Sequence, residues 1–247
     1  MKVNVLASGS KGNCCVVTSQ HASVIIDCGC TISYLKEAFA SINFDYTKAD
    51  GLLITHCHTD HLKQIKMFKD LTVYSPFPIM GIYNERIINP NVIFTVGDLK
   101  ILPVPLSHDT DITVGYIIND GKETLVQITD TGYLSDNIQR LIKGADYYIF
   151  ESNHDPQMLM ETNRPEMTKR RILSDYGHMC NEYATDVLCN SVTERTKKVV
   201  LAHISQEANT TQLAYQTFVD ELDRRGIDYS NISITAAEQF KIYSFGN

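Results

Sequence analysis

The segment Leu52–Ile65, LLITHCHTDHLKQI, constrains this chain more than any other. Leu52-Leu53-Ile54-Thr55 reads as a short buried strand. An ordinary turn of Gly, Asn or Pro should close it. Instead His56, His58, Asp60 and His61 crowd into six positions. Imidazoles and a carboxylate packed this closely cost solvation, and the imidazoles repel one another when protonated. A bound cation would relieve both problems, so the segment reads as a strand that delivers metal ligands.

The same arrangement recurs along the chain. His108 follows the apolar run Ile101–Leu106, Asp130 follows Leu125–Thr129, and His203 follows Val199–Ala202. A lone His after a strand is usually a loop residue, but the dense first cluster changes that reading. If these strands share an edge, seven ligands converge: His56, His58, Asp60, His61, His108, Asp130 and His203. One zinc ion takes about four, so seven point to two divalent ions. Asp60, Asp130 and a hydroxide would leave such a site net positive and attractive to an anion. Two ions ~3.5–4 Å apart activate a water and clamp both oxygens of a displacement, as phosphoryl chemistry requires.

Composition narrows the class. No linker or low-complexity tract divides the 247 residues, which read as a single domain, 1–247, and 43% hydrophobic residues suit a buried core. No run approaches the ~18 apolar residues of a membrane helix, and Met1–Asn4 does not open a signal-like stretch. The seven cysteines lack zinc-finger spacing and read as reduced thiols of a cytoplasmic protein. Cys28-Gly29-Cys30 is a weak signal for a metal or redox pair. The net charge is −7, and basic residues cluster only at Lys169-Arg170-Arg171, Lys197-Lys198 and Arg224-Arg225. A protein that tracks a long polyanion carries a basic stripe, so the balance favours a small substrate.

Pattern and turn residues predict strands at Val3–Ala7, Cys14–Thr18, Val24–Asp27, Gly51–Thr55, Leu71–Tyr74, Val92–Phe94, Lys100–Val104, Thr113–Ile118, Thr124–Thr129, Tyr147–Glu151 and Val199–Ala202. Ile232–Thr235 and Gln239–Tyr243 close the chain. Helices are expected at Thr31–Ala40, with Thr31 as N-cap, and at Leu62–Lys69, Ser135–Ile142, Pro165–Ser174, Asn181–Ser191 and Asn209–Arg224. Strands with interspersed helices suit an α/β fold of two packed sheets with helices outside.

At this point the chain resembles the metallo-β-lactamase superfamily. H-C-H-T-D-H at His56–His61 is that family's H-x-H-x-D-H signature, and His108, Asp130 and His203 follow in the family's order. The resemblance covers essentially the whole chain. It implies an αββα sandwich of two mixed sheets flanked by helices, with the metals at one edge. By the family pattern, His56, His58 and His108 hold one ion, Asp60, His61 and His203 the other, and Asp130 bridges. The ions implied are zinc or manganese.

True β-lactamases, which are secreted and commonly carry Cys at the bridging position, fit poorly. So does the diiron branch, which carries Glu where this chain has His58. Thioester hydrolases share the seven ligands. Two segments favour phosphodiester chemistry. FESNHD places Glu151 at a strand end, and YGHMCNEYA places His178 before a helix, with Asn181 and Glu182 following. Both resemble motifs of ribonuclease Z-type phosphodiesterases, in which a Glu–His pair helps protonate the leaving oxygen. Asp60, Glu151 and His178 are therefore the expected catalytic residues.

ASGSKGNCCVV, ESNHD and GHMCNE most resemble a compact bacterial and phage group. It includes the WalJ/YycJ-like exonucleases and the phage anti-Pycsar phosphodiesterases. The expected function is hydrolysis of 3′,5′-cyclic nucleotide monophosphates to linear monophosphates, which blunts cyclic-nucleotide immune signalling. The family implies a homodimer in the host cytoplasm. The alternative is a DNA or RNA exonuclease of the WalJ/YycJ type, with a non-catalytic nucleotide sponge as a third class. Phe77–Pro90, with Tyr83, Asn84 and Arg86, reads as a helix and loop, or else as a lid or dimer contact. Ser8–Asn13 is either a tight connection or a wall of the pocket built from backbone amides. His154 reads as a supporting residue near the site, and His21 as a surface turn residue.

Overall fold

Lys2–Ala7 (β1), Cys14–Thr18 (β2) and Ser23–Ile26 (β3) pair antiparallel through the two tight turns. From there the chain crosses over a helix, Ile32–Ser41 (α1), and pairs parallel through Gly51–Leu53 (β4), Val73–Ser75 (β5) and Glu85–Ile87 (β6). The computed structural model describes all residues from Met1 to Asn247. The second half repeats this plan. Phe94–Val96 (β7), Leu99–Leu106 (β8), Thr113–Asn119 (β9) and Thr124–Ile128 (β10) form an antiparallel meander. Tyr147–Glu151 (β11), Lys198–Ala202 (β12) and Ser233–Ala236 (β13) then add in parallel. Tyr243–Gly246 (β14) returns to the first sheet beside β1.

The result is an αββα sandwich of two seven-stranded mixed sheets. Val3, Val17 and Leu53 of one sheet meet Ile101, Tyr116 and Val200 of the other in a common buried layer. Helix α1 covers the outer face of the first sheet with Leu35 and Phe39. The second sheet is covered by Asp136–Ile142 (α3), Asn181–Ser191 (α6) and Thr211–Arg225 (α7). The antiparallel strands need only turns, whereas each parallel step needs a crossover long enough to return to the starting edge. The C-terminal ends of the parallel strands therefore share one edge of the sandwich.

Thr31 caps α1 as expected, accepting a hydrogen bond from the Tyr34 amide. The helix expected over Leu62–Lys69 is corrected. It splits into a single turn, Thr59–Leu62 (α2), and a 3₁₀ turn at Ile65–Phe68. The break lies at Gln64, whose amide donates to the Cys28 carbonyl instead of within a helix. Phe77–Pro90 holds no helix: it carries the edge strand β6, and Arg86 lies over the Tyr74 ring. The last strand falls at β14, later than Gln239–Tyr243, because its partner is β1. A short helix at Pro156–Glu161 (α4), capped by Asp155, was not anticipated, and Glu166–Leu173 (α5) follows it. No helix is long and apolar enough to cross a membrane.

Candidate metal centre

Pairing register decides which residues meet. Ile128 of β10, Phe150 of β11 and Leu201 of β12 stand side by side. Two residues after Ile128 and Leu201, just past the ends of β10 and β12, come Asp130 and His203, so these are level at the sheet's edge. Both have left-handed backbones, with φ of 64° and 54°, and Asp27, just past β3, has φ of 60°. Such conformations cost non-glycine residues of order 1–3 kcal/mol each and persist where surroundings over-determine them. At His203 they do so. Its amide donates to Ser8 Oγ at 2.8 Å, and its carbonyl accepts from Asn153 Nδ2 at 2.7 Å.

All seven predicted ligands converge at this edge, and all come from one chain. His56, His58 and His108 form one cluster of nitrogens, and Asp60, His61 and His203 form a second. Asp130 stands between them. Its carboxylate oxygens lie 3.4 Å from His61 Nε2 and 3.4 Å from His203 Nε2, and it also groups with His56. Asp60 lies 3.5 Å from His61 Nε2 and 4.0 Å from His203 Nε2. Five of the seven, with Ser10, Arg171 and His178, line an all-polar cavity of about 300 Å³.

The donor set fits divalent ions. His56 Nε2, Asp130 Oδ2 and His203 Nε2 are buried without any hydrogen-bond partner. Such atoms cost roughly 1–3 kcal/mol each when left unsatisfied, and cations would satisfy all three together. Burial and the neighbouring imidazoles push His56 down to about 2, so its ring is neutral and has a lone pair to offer. Burial pushes the Asp130 carboxyl up, but His203, His61 and His56 outweigh it and hold it well below the usual range. For His61 and His203, burial opposes the proton, yet Asp130 and the other carboxylates around them raise both above the ordinary histidine value. The centre thus draws positive charge.

The other ring nitrogen of most of these candidate histidines is fixed from behind, the arrangement found around metal-ligating histidines. His61 Nδ1 meets Asp27 Oδ2 at 2.7 Å, and Asp27 also accepts from the Thr55 amide and hydroxyl at 2.9 Å. His56 Nδ1 meets Thr55 Oγ1 at 3.0 Å, and His108 Nδ1 donates to the Gly177 carbonyl at 3.1 Å. His203 Nδ1 donates to Glu151 Oε1 at 2.9 Å.

Glu151 is fully buried, not a surface residue. It accepts five donors: the amides of Asp130, Thr131 and Met179, and Nδ1 of both His178 and His203. These five donors occupy the Glu151 carboxylate, although Asp130, Glu151, His178 and His203 also stand close enough together to form a fourth potential metal group. Burial pushes the Glu151 carboxyl up, but the His178 and His203 imidazoles hold it at about 2. The bond at 2.9 Å fixes the His178 ring and leaves Nε2 as its other nitrogen.

Several neighbours escaped sequence reasoning. Asp27 is the clearest, since it follows an apolar strand as the ligands do. Asn13 holds the signature loop, donating its amide to Asp60 O at 2.8 Å and placing its side chain 2.9 Å from His61 Nε2. Ser8–Asn13 therefore shapes the site through the side chains of Ser8, Ser10 and Asn13. Asp109 lies 3.2 Å from His108 Nε2 and pairs with Arg171 at the mouth. Cys28 and Cys30 are buried under α1 in the apolar layer and belong to no metal cluster. His154 is buried beside a neighbouring cavity rather than the metal one, and His21 is exposed.

Residues 23–204 match the family described as the β-lactamase superfamily domain. The chain belongs to that superfamily. It is 35% identical to exodeoxyribonuclease YycJ of Bacillus anthracis, over 90% of this chain and 89% of the relative. It is 30% identical to exodeoxyribonuclease WalJ of Streptococcus pneumoniae, over 92% of each. The metallo-β-lactamase fold protein YhfI from Bacillus subtilis superposes with a TM-score of 0.71 at 17% identity, covering 98% of both chains, and shares the fold. With this membership and this cluster, the chain is a metal-dependent hydrolase.

Proposed function

We propose that this superfamily member is a DNA exonuclease, a phosphodiesterase that removes nucleotides from a strand end. The observation that carries the chemistry is the Glu151–His178 pair beside the seven-ligand cluster. A thioester hydrolase needs no acid for its leaving thiolate, whereas a departing alkoxide does. The polymer reading rests on the two curated relatives, both named exodeoxyribonucleases. They favour the exonuclease over the cyclic mononucleotide expected from the finer resemblance. The acidic net charge does not oppose this reading, because an enzyme that engages a strand end at a metal centre needs no long basic stripe. Seven free thiols suit a cytoplasmic enzyme.

His56, His58 and His108 would hold one divalent ion and Asp60, His61 and His203 the other, with Asp130 shared; their borderline nitrogen and oxygen donors suit zinc or manganese. When bound, the ions would acidify a water and offset charge on the phosphoryl oxygens. The water oxygen joins phosphorus as the bond to the leaving ribose oxygen breaks. His178, oriented by Glu151, gives that oxygen a proton. Asp60, ionised and facing the cavity, accepts the proton lost by the water.

End-labelled DNA and a panel of 3′,5′-cyclic nucleotides test the reading side by side. Progressive strand shortening is expected. Linear monophosphates without strand shortening would restore the cyclic-nucleotide reading, and intact nucleotide recovered after denaturation would make the protein a sponge. Elemental analysis should find two divalent ions per chain. His178→Ala should keep both and lose roughly 10²–10⁴-fold in turnover. The defect should shrink on an aryl phosphodiester, whose leaving group needs little proton donation; loss of metal instead would make His178 a ligand.

A further inference from the structure

A second cavity, of about 240 Å³, adjoins the metal centre. His178 lines both, so the ring assigned to the leaving oxygen is the wall between them. Tyr133, His154, Pro156, Leu173 and Tyr183 supply much of the remaining surface. Tyr183 is rigid, because its hydroxyl is tied to the Leu134 backbone at 3.1 Å. Tyr133 and Leu173 are 44% and 46% exposed, apolar surface left open beside a polar site.

His154 adds an independent sign of a ligand. It is 1% exposed, and both its ring nitrogens are buried without a partner. Burial pushes it down to about 4, so the ring is neutral at working pH and carries one donor and one acceptor. Buried polar atoms in native proteins are nearly always satisfied, and no protein group satisfies these.

The lining also says what does not bind here. It contains no Lys or Arg but does contain Asp175, so a phosphate is disfavoured. The charge belongs next door, among the metal ligands and Arg171. Drug-sized ligands occupy pockets of about 300–1,000 Å³, and this one is smaller. Its size and lining suit a single flat, uncharged ring system with hydrogen-bonding edges.

We infer that this cavity is a nucleoside subsite, which holds the nucleoside attached to the leaving oxygen with its base against Tyr133 and Tyr183 and within reach of His154. The inference rests on the phosphodiesterase reading. If His178 protonates the leaving oxygen, the group that carries that oxygen must lie beside His178, and this is the adjoining space. Base–aromatic contact tolerates every base because each has a π-face, and such contacts are typically worth about tenfold or more in binding. The subsite therefore selects nucleoside leaving groups without reading sequence.

Two oligonucleotides, identical except that the leaving nucleotide of one lacks its base, test this with wild type and Tyr133→Ala. Tyr133 is partly exposed, so the variant keeps its fold. The variant should lose about tenfold in kcat/KM on the base-bearing strand, and the defect should largely vanish on the abasic strand. An equal loss on both overturns the subsite. Binding of deoxyadenosine, which has no phosphate to cleave, to the zinc-loaded protein by saturation-transfer NMR gives a readout apart from activity. Wild type should bind at least fivefold tighter than Tyr133→Ala, and equal binding, or none, refutes the proposal. If wild type shortens no DNA, the exonuclease reading fails, while the deoxyadenosine comparison still decides the subsite.

Discussion

Asp27 illustrates how a residue that touches no ion would govern a metal site. Its carboxylate holds His61 Nδ1 at 2.7 Å and locks Thr55, which in turn touches His56 Nδ1. One side chain thus orients a ligand from each cluster. Changes to such supporting partners typically cost 10–100-fold in metal affinity. Asp27→Asn should show a loss on that scale in chelator competition while circular dichroism stays unchanged; unaltered affinity would reduce Asp27 to a packing residue. Glu151 carries a pH dependence. Its carboxyl sits at about 2 in the folded protein, below the ordinary carboxylate value. Its stabilising contribution is therefore complete above the ordinary range and is lost as pH falls toward that depressed value. In metal-free protein, Glu151→Gln should lower stability near neutrality and flatten the acid-side decline in urea midpoint. Parallel wild-type and variant profiles would reject that account.

Among the elements, the loop after β3 and the turn α2 form one docking unit. The Cys28 amide donates to His61 O at 2.7 Å, Gln64 N to Cys28 O at 3.0 Å, and Gly29 N to Asn13 O at 3.1 Å. Gly29 explains the C-G-C sequence better than metal or redox chemistry does. A Cβ there would lie 1.5 Å from the Asp60 carbonyl oxygen, which is backbone and cannot swing aside. Gly29→Ala must push the signature loop outward. Overpacking of this kind costs typically about 1–3 kcal/mol, and the thermal midpoint and bound metal should fall together. Cys30→Ala, which removes a buried thiol outside the cluster, should keep its metal. The opposite pattern would revive Cys30 as a ligand.

For the whole molecule, charge and site pull in different directions. The chain carries −7 overall, and Arg171 is the only Lys or Arg lining the metal cavity. Under the proposed exonuclease function, such a site contacts few phosphates. With one or two such contacts, kcat/KM on DNA should fall only roughly three- to tenfold between 50 and 200 mM salt. Arg171→Ala should lower the log–log salt slope by about one if Arg171 contacts a phosphate. A loss of about a thousandfold over that salt range would instead reveal an extended basic track. The two-sheet frame makes this economy workable, since parallel strands of both sheets deliver their ends to one edge.

The candidate ligand residues, their order and the strand-end placement of five of the nine predicted site residues were legible in the sequence. Metal chemistry of the H-x-H-x-D-H kind is local: four donors within six positions announce themselves in any window that contains them. The buried strands were legible too, because period and β-branching are local properties. What the tertiary structure decided was pairing across distance. His61 meets Asp27 from 34 positions away, and His203 meets Ser8 from 195 away. Those partners follow from strand order and parallel register, which no window contains. The break in the helix at Gln64 had the same origin, a carbonyl supplied by a distant strand end. The open cavity beside His178 depends on residues from separate segments, among them Tyr133, His154, Leu173 and Tyr183, so only the folded chain displays it.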